Sequence, residues 1–203
     1  MPRPRSLTTA DVVAAALAVL DRDGLSALTM RAVAKELGMA TMALYRYVRD
    51  RDALEVLVAD QVFASIDTSL PAGGDWKARV AVLLEHIRDG FSAHPAAVPL
   101  VLRHRQSSVE SLRVMETMLA VLTEGGFTGR ARVIAQRTLV AFLVGYLQNK
   151  HYAPLPGRGT SVLAELPAAD YPHLAQTASR AKDMSADDEF RGGVEILLRG
   201  LEP

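Results

Sequence analysis

Apolar positions recur at three- and four-residue intervals along most of this chain, and no stretch alternates with the two-residue period of a strand. Thr8 opens the first helix, with Asp11 three residues on as the second half of a capping box. Val13, Ala16, Leu17 and Leu20 form its buried stripe, and Gly24 ends it. Residues 30–37 carry Val33, Ala34 and Leu37 at helical spacing. Gly38 stops that helix, because a residue without Cβ enters the left-handed turn conformation freely. Residues 41–48 restart it, with Leu44, Tyr45 and Val48 on one side. Asp50 caps a further helix expected to reach about residue 70, with Leu54, Leu57, Val58, Gln61, Val62 and Ile66 inward.

Pro71, Gly73 and Gly74 then break the pattern between a small N-terminal part and a larger C-terminal one. Residues 76–93 are predicted helical, with Trp76, Val80, Leu83, Leu84, Ile87 and Phe91 on one face. His94-Pro95 interrupts, and a short helix follows to about residue 103. Residues 107–123 place Leu112, Met115, Leu119 and Leu122 inward, and Gly125-Gly126 ends that segment. Residues 130–152 make the longest helix, apolar over much of its circumference, as suits burial on several sides. Residues 154–167 read as a Pro/Gly-rich loop with room for one helical turn, and 171–182 and 186–201 as closing helices. The fold class predicted is all-α.

One stretch, residues 28–54, has the details of a helix-turn-helix. Ala34 lies four residues before Gly38, where two steeply crossing helices leave room for little more than a methyl group. Leu44 lies six after it, where a branched side chain plugs the space between them. The second helix of such a motif enters the major groove, and its first residues reach base edges. Here Thr41 can hydrogen-bond base or phosphate, Met42 offers apolar contact to a thymine methyl, and Arg46 can pair bidentately with guanine. Thr29 and Arg31 approach the DNA backbone from the preceding helix. Ahead of the motif, Arg3 and Arg5 stand between prolines on an arm that suits phosphates or a minor groove, or a loose terminus.

Composition narrows the classes. At 203 residues, 49% hydrophobic, the chain can bury a sizeable core. The formal net charge is zero, but residues 1–51 hold eight Lys/Arg against five Asp/Glu, a basic excess where the motif sits. There is no Cys, which excludes disulfides and thiolate metal sites. No signal peptide and no apolar run of spanning length is evident, so a cytoplasmic protein without a membrane partner is expected. No phosphate loop, nucleophile elbow or zinc-binding His pair is present, and His86 with Asp89 is a lone pair at ligand spacing. No enzyme, metal or cofactor is therefore predicted.

The segment LTMRAVAKELGMATMALYRYVRDRDAL resembles the DNA-binding segment of TetR-type bacterial transcriptional regulators. Leu28, Thr29, Arg31, Val33, Ala34, Leu37, Gly38, Met39, Leu44, Tyr45, Tyr47, Val48, Arg51 and Leu54 fit the family pattern. Ala40 and Ala43 depart from it, standing where many relatives have a Ser or Thr that bonds. The resemblance implies a helix-turn-helix domain over residues 1–50 and a helical effector-binding and dimerisation domain over 51–203. It implies phosphate contacts from Tyr45, Tyr47 and Arg51, the last beside a helix N-terminus. It implies a homodimer on palindromic double-stranded operator DNA, paired through residues 130–152 and 186–201. Phe142, Val144, Leu147, Phe190, Val194, Leu197 and Leu198 are the candidates to cross that interface, with Gly145 and Gly192-Gly193 permitting close approach. It also implies a small-molecule effector pocket. Phe63, Phe91, Met115, Met118, Leu119, Phe142 and Tyr146 are candidates to line it, and His86, His94, Arg103 and Gln136 to supply polar contacts. The function implied is a ligand-released repressor. The competing readings are a helical scaffold without specific DNA binding, favoured by Ala40 and Ala43, and an enzyme whose site folding assembles in the C-terminal part.

Overall fold

A computed structural model describes residues 7–152 and 154–203, so the arm carrying Arg3 and Arg5 lies outside the described residues. The described residues form eleven α-helices, two short 3-10 turns and no strand. The helices are α1 (Thr9–Asp23), α2 (Met30–Glu36), α3 (Thr41–Leu44), α4 (Arg51–Ala64), α5 (Trp76–Ser92), α6 (Val98–His104), α7 (Val109–Glu124), α8 (Gly129–Tyr152), α9 (Arg158–Ala164), α10 (Pro172–Ala181) and α11 (Ala186–Gly200). The all-α class is as the periodicity predicts. None of these helices is long and apolar enough to cross a membrane. Two compact units divide the chain: Met1–Ser69 with Glu85–Met118, and Leu70–Leu84 with Leu119–Pro203.

The first unit is built on α1, whose Val12, Val13, Ala16, Leu17 and Leu20 are buried. Its start is fixed by the capping box: the Asp11 amide donates to Thr8 Oγ1 at 3.2 Å, and the Thr8 amide donates to Asp11 Oδ2 at 2.8 Å. α1 packs on α2 and α4, and α4 packs on α6. Phe63 of α4 meets Phe91 of α5 edge to face, with ring centroids 5.6 Å apart. Asp60 of α4 reaches the start of α7, where its Oδ1 accepts from the Ser108 hydroxyl at 2.7 Å and the Glu110 amide at 3.0 Å.

The second unit holds an aromatic cluster between α8 and α11. Tyr146 and Phe190 have ring centroids 4.8 Å apart, and Phe142 lies 5.8 Å from Phe190. A Cβ added at Gly193 would stand 2.5 Å from Phe142 Cε2, so only glycine lets the two helices close this far. Trp76 and Phe127 form a second edge-on pair at 4.9 Å. α9 and α10 pack on each other.

Several local expectations change. α4 ends at Ala64 rather than near residue 70, and the Ser65 hydroxyl donates to the Val62 carbonyl just past its end. Gln61 is exposed, because the inward positions of α4 run Val58, Ala59, Val62, Phe63. Leu112 is 49% exposed instead of inward. The reason is polar: Ser108 and Ser111 are buried under Asp60, which sets the inward stripe at 111, 114, 118 and 121. α3 stops at Leu44 and tightens into a turn, where a helix through residue 48 is expected. The Pro/Gly-rich loop holds a seven-residue helix, α9, rather than one turn.

Candidate nucleic-acid interface

Local chemistry sets the reading element. Thr29 caps α2, its Oγ1 accepting from the Ala32 amide at 3.1 Å. Past α2, Gly38 has φ +66°, the left-handed conformation predicted for it. The Gly38 amide donates to the Lys35 carbonyl at 3.0 Å and the Met39 amide to the Ala34 carbonyl at 2.9 Å. This paired closure is a Schellman motif. Leu44 and Val33 are fully buried, Ala34 is 1% exposed and Val48 3%. The small residue before the turn and the branched residue after it therefore meet as their spacing predicts. Ala40 caps α3 without a side-chain bond.

The opposite side of α3 stands in solvent. Met42 is 78% exposed and Tyr45 45%. Arg31 and Arg46 are exposed, and Thr29, Thr41 and Tyr47 are half-buried. Neither Arg31 nor Arg46 makes an ion pair among the described residues. A hairpin serving only as packing would bury Met42, Tyr45 and Tyr47, and it does not. Arg49 is exposed too, but its Nε is bound to Asp50 Oδ2 at 2.8 Å. Asp50 caps α4 by accepting from the Ala53 amide at 2.8 Å. That bond and the Arg49 bond hold its carboxyl below the usual aspartate range.

Arg51 begins α4 and is half-exposed, but one face of it is engaged. Its Nε donates to Glu55 Oε1 at 2.8 Å. Glu55 is 3% exposed, and its Oε2 also accepts from Arg103 Nη1 at 3.0 Å and contacts His104 Nε2 at 3.0 Å. Burial by itself pushes this carboxyl up. Hydrogen bonds from His104 and Arg51 and the charges of Arg51 and Arg103 outweigh it, leaving Glu55 below the usual glutamate range.

The effector candidates are shared between the two units. In the first unit Phe63 and Phe91 touch, Met118 is buried and Met115 half-buried. His86 Nδ1 lies 2.9 Å from the Asp67 carbonyl, His94 Nδ1 lies 2.7 Å from Asp21 Oδ2, and Arg103 is on Glu55. These three polar groups thus serve three separate partners. A cleft of about 350 Å³ is lined by Ser65, Asp67, His86, Asp89, Gly90 and Ala93, and of the candidates it includes His86 alone. In the second unit Leu119 is half-buried, and Phe142 and Tyr146 stack at 6.4 Å. The Tyr146 hydroxyl donates to the Ala186 carbonyl at 2.9 Å. No cluster of three or more His, Asp or Glu able to hold a metal occurs among the described residues.

The interface candidates also separate. Phe190 is fully buried in the single chain, and Val194, Leu198 and Leu147 are 5–6% exposed. Phe142, Val144 and Leu197 are half-buried. The close approach at Gly193 is made to Phe142 of the same chain. Ile196, Val133 and Ile134, outside the predicted set, are apolar and 69%, 59% and 50% exposed on α11 and α8. Glu55 and His104 also lie outside the predicted site residues. The Arg51–Glu55 spacing of four was a visible signal, while the α6 partners, 48 and 49 residues on, carried none.

A helix-turn-helix with its reading side bare, at the head of an all-helical chain, defines a regulator of transcription. Residues 12–55 match the family described as bacterial regulatory proteins, tetR family, and residues 69–203 match the tetracyclin repressor-like C-terminal domain. The chain belongs to the TetR family. It is 30% identical to the tetracycline repressor protein class D of Escherichia coli, over 97% of this chain and 89% of that one. It is 29% identical to the HTH-type transcriptional repressor DrrR1 of Streptomyces coeruleorubidus, over 99% of this chain and 79% of that one. Among solved structures, the TetR family protein ActR of Streptomyces coelicolor in complex with actinorhodin superposes with a TM-score of 0.81 at 27% identity, covering 98% and 96% of the two chains.

Proposed function

We propose that this chain is a transcriptional repressor that grips palindromic operator DNA as a homodimer and is released by a small-molecule effector. The observation that carries the reading is the split of α3: Leu44 fully buried, Met42 78% exposed two residues earlier. Residues 1–50 read DNA, and residues 51–203 bind effector and pair the protomers. Thr41, Met42 and Arg46 meet base edges, while Thr29, Arg31, Tyr45, Tyr47 and Arg51 meet the backbone. One reading helix covers a half-site, and two protomers set their reading helices about 34–36 Å apart, one turn of the duplex. Val133, Ile134 and Ile196 join Val144 and Leu197 as the surface for that pairing, over a core that includes Phe190 and Val194.

The repressor names among the relatives and the bound actinorhodin of ActR support repression and release by a small organic molecule. Release works by population shift: the effector binds better to the form in which α4 holds the heads at the wrong spacing. Operator DNA then weakens effector binding by the same factor. The setting is the bacterial cytoplasm, where operator DNA lies, and no catalysis is assigned to the chain. A mobility shift with the DNA upstream of the protein's own gene, at two salt concentrations, tests the reading. Sequence-specific binding that weakens steeply with salt supports it. Absence of any specific shift selects the scaffold instead. A ligand library followed by thermal shift identifies the effector class.

A further inference from the structure

A carboxylate as deeply buried as Glu55 is retained only if it is paired on both oxygens. Here Oε1 is taken by Arg51 and Oε2 by Arg103 and His104, with Asp52 Oδ1 a further 3.9 Å from His104 Nε2. The bond to Arg51 uses Nε, the inner nitrogen of the guanidinium. Its two Nη amino groups, the pair that suits a phosphate, have no partner among the described residues. A guanidinium held by Nε loses rotational freedom without losing its fork.

We propose that Glu55 is the positioning residue for the phosphate contact of Arg51, and that Arg103 and His104 of α6 hold Glu55 in place for that purpose. This rests on the proposed function, because it takes Arg51 to meet DNA.

The test uses the full chain and mixed-sequence duplex DNA, since a phosphate contact needs no operator. Affinity is measured over a range of salt for wild type, Arg51→Ala, Glu55→Gln, the double variant and Arg103→Met. Glu55→Gln is expected to bind about tenfold more weakly and to lower the salt slope by about one, as Arg51→Ala does. The double variant should bind no worse than Arg51→Ala. Arg103→Met, at a 59% exposed side chain, should fold and lose part of the same affinity. Should Glu55→Gln fail to fold, Glu55→Asp replaces it, keeping the charge while shortening the reach. An unchanged slope in these variants, or additive losses in the double variant, overturns the inference alone. Wild type that binds no duplex, or an Arg51→Ala variant that binds like wild type, overturns the reading of the interface as well.

Discussion

At the scale of single residues, the proposed function assigns base reading and backbone grip to different exposed side chains, and the two roles predict different losses. Arg46→Ala should alter preference at one base pair and leave the salt slope nearly intact, which selection from a randomised operator half-site measures. Arg51→Ala should weaken binding to all sequences alike. Glu55 makes a further prediction away from DNA. Its carboxyl is held below the ordinary glutamate range in the folded chain, so the unfolded chain takes up its proton first. The stability it contributes is complete above a pH of about 4.3 and shrinks as pH falls through the folded value. Urea unfolding across acid pH should show a steeper loss in wild type than in Glu55→Gln, whose own cost at neutral pH is about 3 kcal/mol. Residues bound to near neighbours were legible in the sequence: Thr8 with Asp11, Asp50 over Ala53, Gly38 in its turn. Arg103 was not, since what occupies it is a carboxylate 48 residues away.

At the scale of elements, α2 and α3 are short, and packing rather than length holds them. Leu44→Ala removes the plug between them and should cost about 2–5 kcal/mol, read as a lower urea midpoint together with lost DNA binding. Gly193→Ala forces a methyl into the Phe142 ring, which Tyr146 and Phe190 hemmed in, and should cost about 1–3 kcal/mol by the same measurement. Helix existence followed from apolar spacing almost everywhere. The misread positions share a cause. Extending the apolar stripe puts Leu112 inward, but two serines tied to Asp60 hold the inward places. α3 is shorter than its apolar spacing predicts because nothing local marks where the helical turn tightens at Tyr45. α8 is apolar around much of its girth, so pattern alone does not say which side meets its own unit and which meets solvent.

At the scale of the whole molecule, DNA binding by a half-site reader depends on pairing. Ile196→Glu places a charge at a 69% exposed apolar position and should leave the protomer folded while splitting the dimer. Sedimentation would show the halved mass, and operator affinity would become strongly dependent on protein concentration. A variant that sediments like wild type would move the pairing surface elsewhere. The side chain of Asp60 also has a use as an indicator. It closes the first turn of α7 from α4, so the Glu110 amide is shielded from deuterium only while α4 stays where it is. Exchange at that one amide therefore registers a swing of α4 directly, and an inducer found by screening can be ranked by how fast it lets Glu110 label, with no DNA in the tube.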